Sequence, residues 1–148
     1  MYIAIFNIGK LKYDLGDACL EDYIAAAEVV SKIAERCQGF VWKTEVEERG
    51  GGTSRLIDGD PRIVVQLSVW EDAESLKHFL WNTLHKKIYQ RRDEWFCPLD
   101  RKTMVLWNVA EDERPELNDA VERLDALRAY GATDYAYDWA FLKSSICG

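Results

Sequence analysis

The chain has 148 residues, 48 % of them hydrophobic, and a formal net charge of −7. That length and apolar fraction suit one domain with one core, with a main body over residues 1–110 and a C-terminal helix and tail over 111–148. The acidic balance argues against broad binding to nucleic acid or to an anionic membrane, since both need a positive face.

From the N-terminus, Tyr2 to Ile8 reads as a strand that alternates Tyr2, Ala4, Phe6 and Ile8 against Ile3, Ile5 and Asn7. The second of these faces ends in a polar amide. A helix is expected from about Asp17 to Cys37, with Tyr23, Ala26, Ala27, Val30, Ile33 and Ala34 at helical spacing and Gly39 as a left-handed stop. Phe40 to Val46 is the second strand. Glu47 to Asp60 is polar and glycine-rich and reads as a long hairpin connection. Gly50-Gly51-Gly52 is no phosphate cradle, because neither a Lys-Ser/Thr pair nor a helix start follows it.

Arg62 to Trp70 is the third strand, apolar almost throughout, as suits a central strand covered on both faces. Val64, Gln66, Ser68 and Trp70 share one of those faces. A second helix opens at Glu71 and Asp72, whose charge suits a helix N-terminus, and the element closes at Pro98 after Trp95-Phe96. Within it Leu76, Phe79, Leu80, Thr83 and Lys87 form the face expected against a sheet. His78, Trp81, His85, Tyr89 and Arg92 lie roughly opposite. Thr103 to Val109 is the fourth strand, and Arg114-Pro115 begins a third helix that Gly131 stops. The aromatic tail, Tyr135 to Phe141, is expected to dock on the body.

The order is β-α-β-β-α-β with an extra C-terminal helix. This is the α+β, ferredoxin-like split motif, an antiparallel sheet with two helices on one face. The strands present apolar groups on both sides, and pairing with a second copy is the economical way to cover the other face. The expected assembly is therefore a homodimer, a dimeric α+β barrel, with a cavity between sheet and helices.

Cys19, Cys37, Cys97 and Cys147 form no CxxC pair, and no Cys/His spacing suits zinc. No basic-plus-apolar leader opens the chain, and no apolar run approaches the ~18 residues of a membrane span. The expectation is a reduced, cytoplasmic setting with packed thiols, Cys97 being a minor candidate for reactivity.

Several segments carry a family resemblance: Ala4 to Ile8 (AIFNI), Gly39 to Lys43 (GFVWK), Gln66 to Glu71 (QLSVWE), His85 with Arg91-Arg92 and Glu94-Trp95-Phe96, and Leu106-Trp107 followed by Arg114-Pro115. Over about residues 2 to 139 the chain resembles a bacterial domain-of-unknown-function family of the dimeric α+β barrel group. Looser relatives of that group include antibiotic-biosynthesis monooxygenases, spheroidene-monooxygenase-like proteins and haem proteins. The chain departs from the family pattern at Gln66 (usually Asn), at Trp42-Lys43 (usually Trp-Arg), at Trp107-Asn108 (usually paired Trp) and at Ala136-Tyr137-Asp138-Trp139.

His85 is the sharpest chemical candidate. A neutral imidazole serves as a general base near pH 7. The haem-binding relatives also imply an axial ligand at His85, the one metal contact expected, and only if haem is bound. Its bland alternative is a histidine that orders a helix end. Arg92 is the candidate clamp for an anion, with surface pairing to acids as the alternative for either arginine. Asn7, Gln66 and Ser68 are polar groups on otherwise apolar strands; they either orient a substrate or make edge hydrogen bonds. Trp42, Trp70, Trp95, Phe96 and Trp107 are core residues first, two or three of which could wall a flat ligand. Taken together, these residues and the resemblance imply a small monooxygenase-like enzyme acting on a hydrophobic, aromatic or polyene molecule, with haem or no cofactor. The alternative is a non-catalytic dimeric module that binds such a molecule.

Overall fold

The computed structural model describes residues 2–13, 17–43, 63–80, 82, 91–97 and 103–141. The connection expected over 47–60 and the candidate His85 lie outside them. The sheet is built on β1 (Tyr2–Leu11), which runs antiparallel to β3 (Ile63–Trp70) along its whole length. On its other side β1 pairs first with β5 (Met104–Val109) and then, at Lys10 and Leu11, with the two-residue β4 (Phe96–Cys97). A fifth strand, β2 (Phe40–Lys43), joins the far side of β3. The order of strands and helices is the ferredoxin-like one expected from the sequence, in an antiparallel α+β architecture.

Strand alternation sorts the side chains onto two faces. On one, Ile3, Ile5, Trp70 and Leu106 pack against Val30 and Ala34 of α1 (Glu21–Arg36) and Leu76 and Phe79 of α2 (Ala73–Phe79). On the other, Ala4, Phe6, Leu67, Val69 and Trp107 pack against Ala120, Leu124 and Leu127 of the C-terminal helix (Leu117–Tyr130). Each of these large side chains, once buried, contributes about 1.5–3 kcal/mol. The second face is thus not bare. The chain's own helix lies on it, and the need for a second copy inferred from two apolar faces is met largely within one subunit. Trp42, Ile63 and Val65 remain partly exposed beside it.

Local chemistry sets the element ends. Asp17 caps a 3-10 turn (Ala18–Leu20) by accepting from the Cys19 N–H at 2.8 Å, and α1 continues from it. Glu21 and Asp22 at its start and Arg36 at its end match the helix dipole. Gly39, at φ 87°, takes the left-handed conformation expected of it, and Gly131, at φ 80°, ends the C-terminal helix. Asp72 caps α2 from an extended conformation, accepting from the Ser75 N–H at 2.7 Å.

The element expected to run on to Phe96 is not one helix among the described residues. α2 ends at Phe79, and Leu80 and Asn82 beyond it are π-helical. A separate single turn, α3 (Arg92–Trp95), precedes β4, so Phe96 and Cys97 are strand residues rather than a helix end. The C-terminal helix is hereafter α4. Beyond it, Tyr137 exchanges both backbone hydrogen bonds with Leu106 (2.8 and 2.9 Å), and Ala136 and Tyr137 are buried, so the tail docks as expected.

Candidate functional site

A narrow cleft opens between the sheet and the layer formed by α1 and α2. Two adjacent cross-strand rows make its polar floor. Lys43 of β2 lies opposite Ser68 of β3, and Gln66 of β3 lies opposite Asn7 of β1. Ala34, Phe40, Leu76, Phe79 and Leu80 line it with apolar groups, together with Trp70. Its enclosed volume is about 20 Å³, room for a water molecule or two. Three of the residues singled out in sequence as polar groups on apolar strands are therefore brought together, with Trp70 beside them.

Trp70 is fully buried, stacked on Phe79 (centroids 5.0 Å, 25°) and edge-on to Phe40 (5.5 Å, 82°). Its indole Nε1 donates to Ser68 Oγ at 3.0 Å. The Ser68 hydroxyl therefore serves the indole first. Asn7 is half-buried and Gln66 exposed at the rim.

Lys43 is the cleft residue that sequence reasoning passed over, noting it only as a departure from the family pattern. Its Nζ donates to Ser31 Oγ and pairs with Glu35 Oε1 at 3.4 Å, both on α1. The signal was present: a lysine in a short apolar strand next to a helix carrying Ser and Glu one turn apart.

The other candidates lie elsewhere. Trp107 and Trp42 sit on the opposite sheet face, among the residues under α4. Arg123 covers Trp107 at 5.2 Å and Arg114 covers Trp42 at 5.4 Å. Trp95 and Phe96 form a third cluster with Leu11, Leu20 and Tyr23, where Tyr23 meets Trp95 at 5.4 Å and Phe96 at 5.2 Å. None of these four lines the cleft. Arg91 makes the surface pairings foreseen for one of the two arginines, to Glu94 (2.8 and 3.0 Å) and Asp22 (3.2 Å), above the Trp95 ring. Arg92 is exposed on α3 and is not a lining residue of the cleft. His78 is exposed, as expected, 3.0 Å from the Asn82 amide.

Electrostatic perturbation falls outside the cleft. Arg91 holds the Glu94 carboxyl below its ordinary value. Burial pushes the Tyr23 phenol up to about 12, and burial with the nearby Asp134 does the same for Tyr137. Cys19, Cys37 and Cys97 are free thiols, and burial raises Cys37. Among the described residues no three His, Cys, Asp or Glu side chains are grouped to hold a metal ion, and no helix is long and apolar enough to cross a membrane.

These features define a class: a ferredoxin-like α+β protein with a polar-floored, aromatic-walled cleft between sheet and helices. The chain belongs to the family described as "Domain of unknown function (DUF3291)", whose model matches residues 2–145. It is similar to the uncharacterized protein YdbC of Bacillus subtilis (strain 168), 26 % identical over 128 residues, covering 86 % of this chain and 92 % of that one. Among solved structures it is similar to a conserved protein from Methanosarcina mazei Go1, with a TM-score of 0.53 and 14 % identity over 74 % of this chain and 94 % of that one. It is also similar to SnoaB, a cofactor-independent oxygenase from Streptomyces nogalater, with a TM-score of 0.51 and 15 % identity over 78 % of this chain and 98 % of that one. The family resemblance and the ferredoxin-like α+β fold of the subunit read from the sequence are borne out. At this identity the structural likeness speaks for the fold alone.

Proposed function

We propose that the chain is a small oxygenase-like enzyme that takes a planar hydrophobic molecule, aromatic or polyene, into the cleft between sheet and helices. The observation that carries this reading is the meeting of the Asn7 and Gln66 amides with the walls of Phe40, Trp70 and Phe79 at one concave place. Amide N–H groups directed at a carbonyl or phenolate oxygen stabilise charge that develops there. The shared fold with a cofactor-independent oxygenase supports the same reading. Such chemistry balances without a resident cofactor. Loss of a proton makes the substrate carbon electron-rich, O2 adds to it, one oxygen atom stays as a carbonyl and the other leaves as water. His85 is the proposed base; Arg92, exposed on α3 outside the described lining, is a proposed contact only for an anionic substituent that reaches beyond the cleft.

Ligand sites for molecules of this size usually enclose about 300–1,000 Å³. Entry therefore requires the cleft to widen between the sheet and the helices. Among the described residues that line the cleft there is no His, Cys, Met or Tyr, the side chains that usually hold haem iron. The homodimer rests on narrower ground than the sequence suggested, the strip of Trp42, Ile63 and Val65 beside α4, and sedimentation at micromolar concentration tests it.

The deciding experiment is oxygen uptake with anthrone- and hydroquinone-type substrates, with products weighed by mass spectrometry. The expected result is uptake that Asn7→Ala lowers by about tenfold or more with the circular dichroism unchanged. Saturable binding without uptake would favour the non-catalytic module. If the chain shows no binding and no uptake, the reading of the cleft falls.

A further inference from the structure

We propose that the cleft selects planar hydrophobic anions and that Lys43 takes their charge, an inference resting on the cleft being a ligand site. Lys43 is the one formally charged residue of the described lining; the rest is amide, hydroxyl, indole and hydrocarbon. Its side chain is only 14 % exposed, so an opposite charge is attracted there more strongly than at the open surface. An ammonium has three N–H donors. Ser31 and Glu35 engage two of them, both from the α1 side. The Glu35 partner is loose. It lies at 3.4 Å, beyond the ordinary range of a charge-assisted bond, and is 54 % exposed. A ligand anion in the cleft can therefore replace or supplement it.

The neighbours complete the selection. The amide of Gln66 lies two residues along β3 from Ser68, the partner of Lys43, and Asn7 faces Gln66 across the ladder. The neutral amides of Gln66 and Asn7 thus lie on the row next to the ammonium. Phe40, Phe79 and Leu76 then take the flat hydrocarbon body. The matching ligand is a planar monoanion whose charge lies at one end, as a carboxylate or as an enolate.

Isothermal titration of the intact chain with two matched pairs tests this. One pair is 2-naphthoate against 2-naphthamide; the other is 2-hydroxy-1,4-naphthoquinone, ionised at neutral pH, against its neutral methyl ether. The expected result is a preference of about tenfold or more for the anion in at least one pair, and that pair identifies carboxylate or enolate. Lys43→Met abolishes the preference and leaves the neutral member's affinity in place, Lys43→Arg keeps it, and Glu35→Gln raises anion affinity several-fold. Equal affinity within both pairs, or a preference that survives Lys43→Met, overturns the proposal while the cleft reading stands. If no member of either pair binds, the cleft reading falls and this inference with it. Should Lys43→Met fail to fold, the absence of a gain in Glu35→Gln is itself decisive against the proposal.

Discussion

The ring of Phe96 lies directly over Gly9: a methyl group built on Gly9 would stand 2.7 Å from Cε1 and 2.9 Å from Cδ1 of that ring. The ring cannot retreat freely, because Tyr23 meets it edge-on at 5.2 Å. Gly9→Ala is expected to destabilise the chain by about 1–3 kcal/mol, the range for overpacking a filled site. Urea unfolding measures it, and Gly9→Ala with Phe96→Leu should recover part of the loss.

Gly39 is constrained twice. Its φ of 87° suits no side chain, and an added Cβ would overlap Ser75 Oγ and Cβ. Gly39→Ala should cost more than about 2 kcal/mol. Adding Ser75→Gly should restore only the steric share, since the backbone conformation is still held by the Gly39 carbonyl, which accepts from the Glu71 N–H at 2.7 Å. Full recovery would mean that the backbone contributes nothing.

Ser68→Ala separates a packing role from a substrate-orienting one. It leaves the buried Trp70 indole N–H without its 3.0 Å acceptor, at a cost of about 1–3 kcal/mol. With Trp70→Phe already in place, the same change should cost far less. Equal costs in both backgrounds would show that Ser68 does not serve Trp70.

Asp72 makes the start of α2 sensitive to acid. The backbone N–H of Ser75 holds its carboxyl below the ordinary 3.8, so the ionised form is favoured in the folded chain. Its contribution is present above the ordinary carboxylate range and is lost as pH falls through the lowered folded value. Asp72→Ala should therefore cost about 1 kcal/mol at neutral pH, and progressively less as the pH is taken below the ordinary 3.8. Urea midpoints across that range decide it.

Tyr23 and Tyr137 govern the alkaline side. Both phenols are raised from 10.0 to about 12, so the neutral forms are favoured in the fold. That stability is intact below pH 10 and is lost as pH climbs toward 12. Phenolate absorbance should show both ionising late or together with unfolding. Tyr23→Phe with Tyr137→Phe should flatten the alkaline decline, although the latter also loses the 2.8 Å bond from Tyr137 Oη to Asn108.

Much of this arrangement was legible in the residues. Alternation within β1 separated Asn7 from Ala4 and Phe6, alternation within β3 separated Gln66, Ser68 and Trp70 from Leu67, and Gly39 and Gly131 marked two helix ends. What escaped was register. Between Phe40 and Trp42 the pairing of β2 with β3 slips, so that Phe40 faces Trp70 but Trp42 faces Val69. A slip of one residue exchanges the two faces of a strand, which carries Trp42 away from the cleft and Lys43 into it. The position of α4 was equally hidden, because Leu117, Leu124 and Leu127 say that the helix is amphipathic but not which face of the sheet receives it. Trp107 followed that unknown.

The docking of Tyr137 on β5 has a consequence for solubility. An unsealed flank of a sheet is a template on which foreign strands can grow. By occupying both amide positions of Leu106, the returning tail stoppers that flank from within the same molecule. A chain cut ahead of Thr133 would lose its stopper and uncover Leu106, and recruitment of neighbouring molecules into fibrils would be expected to begin there.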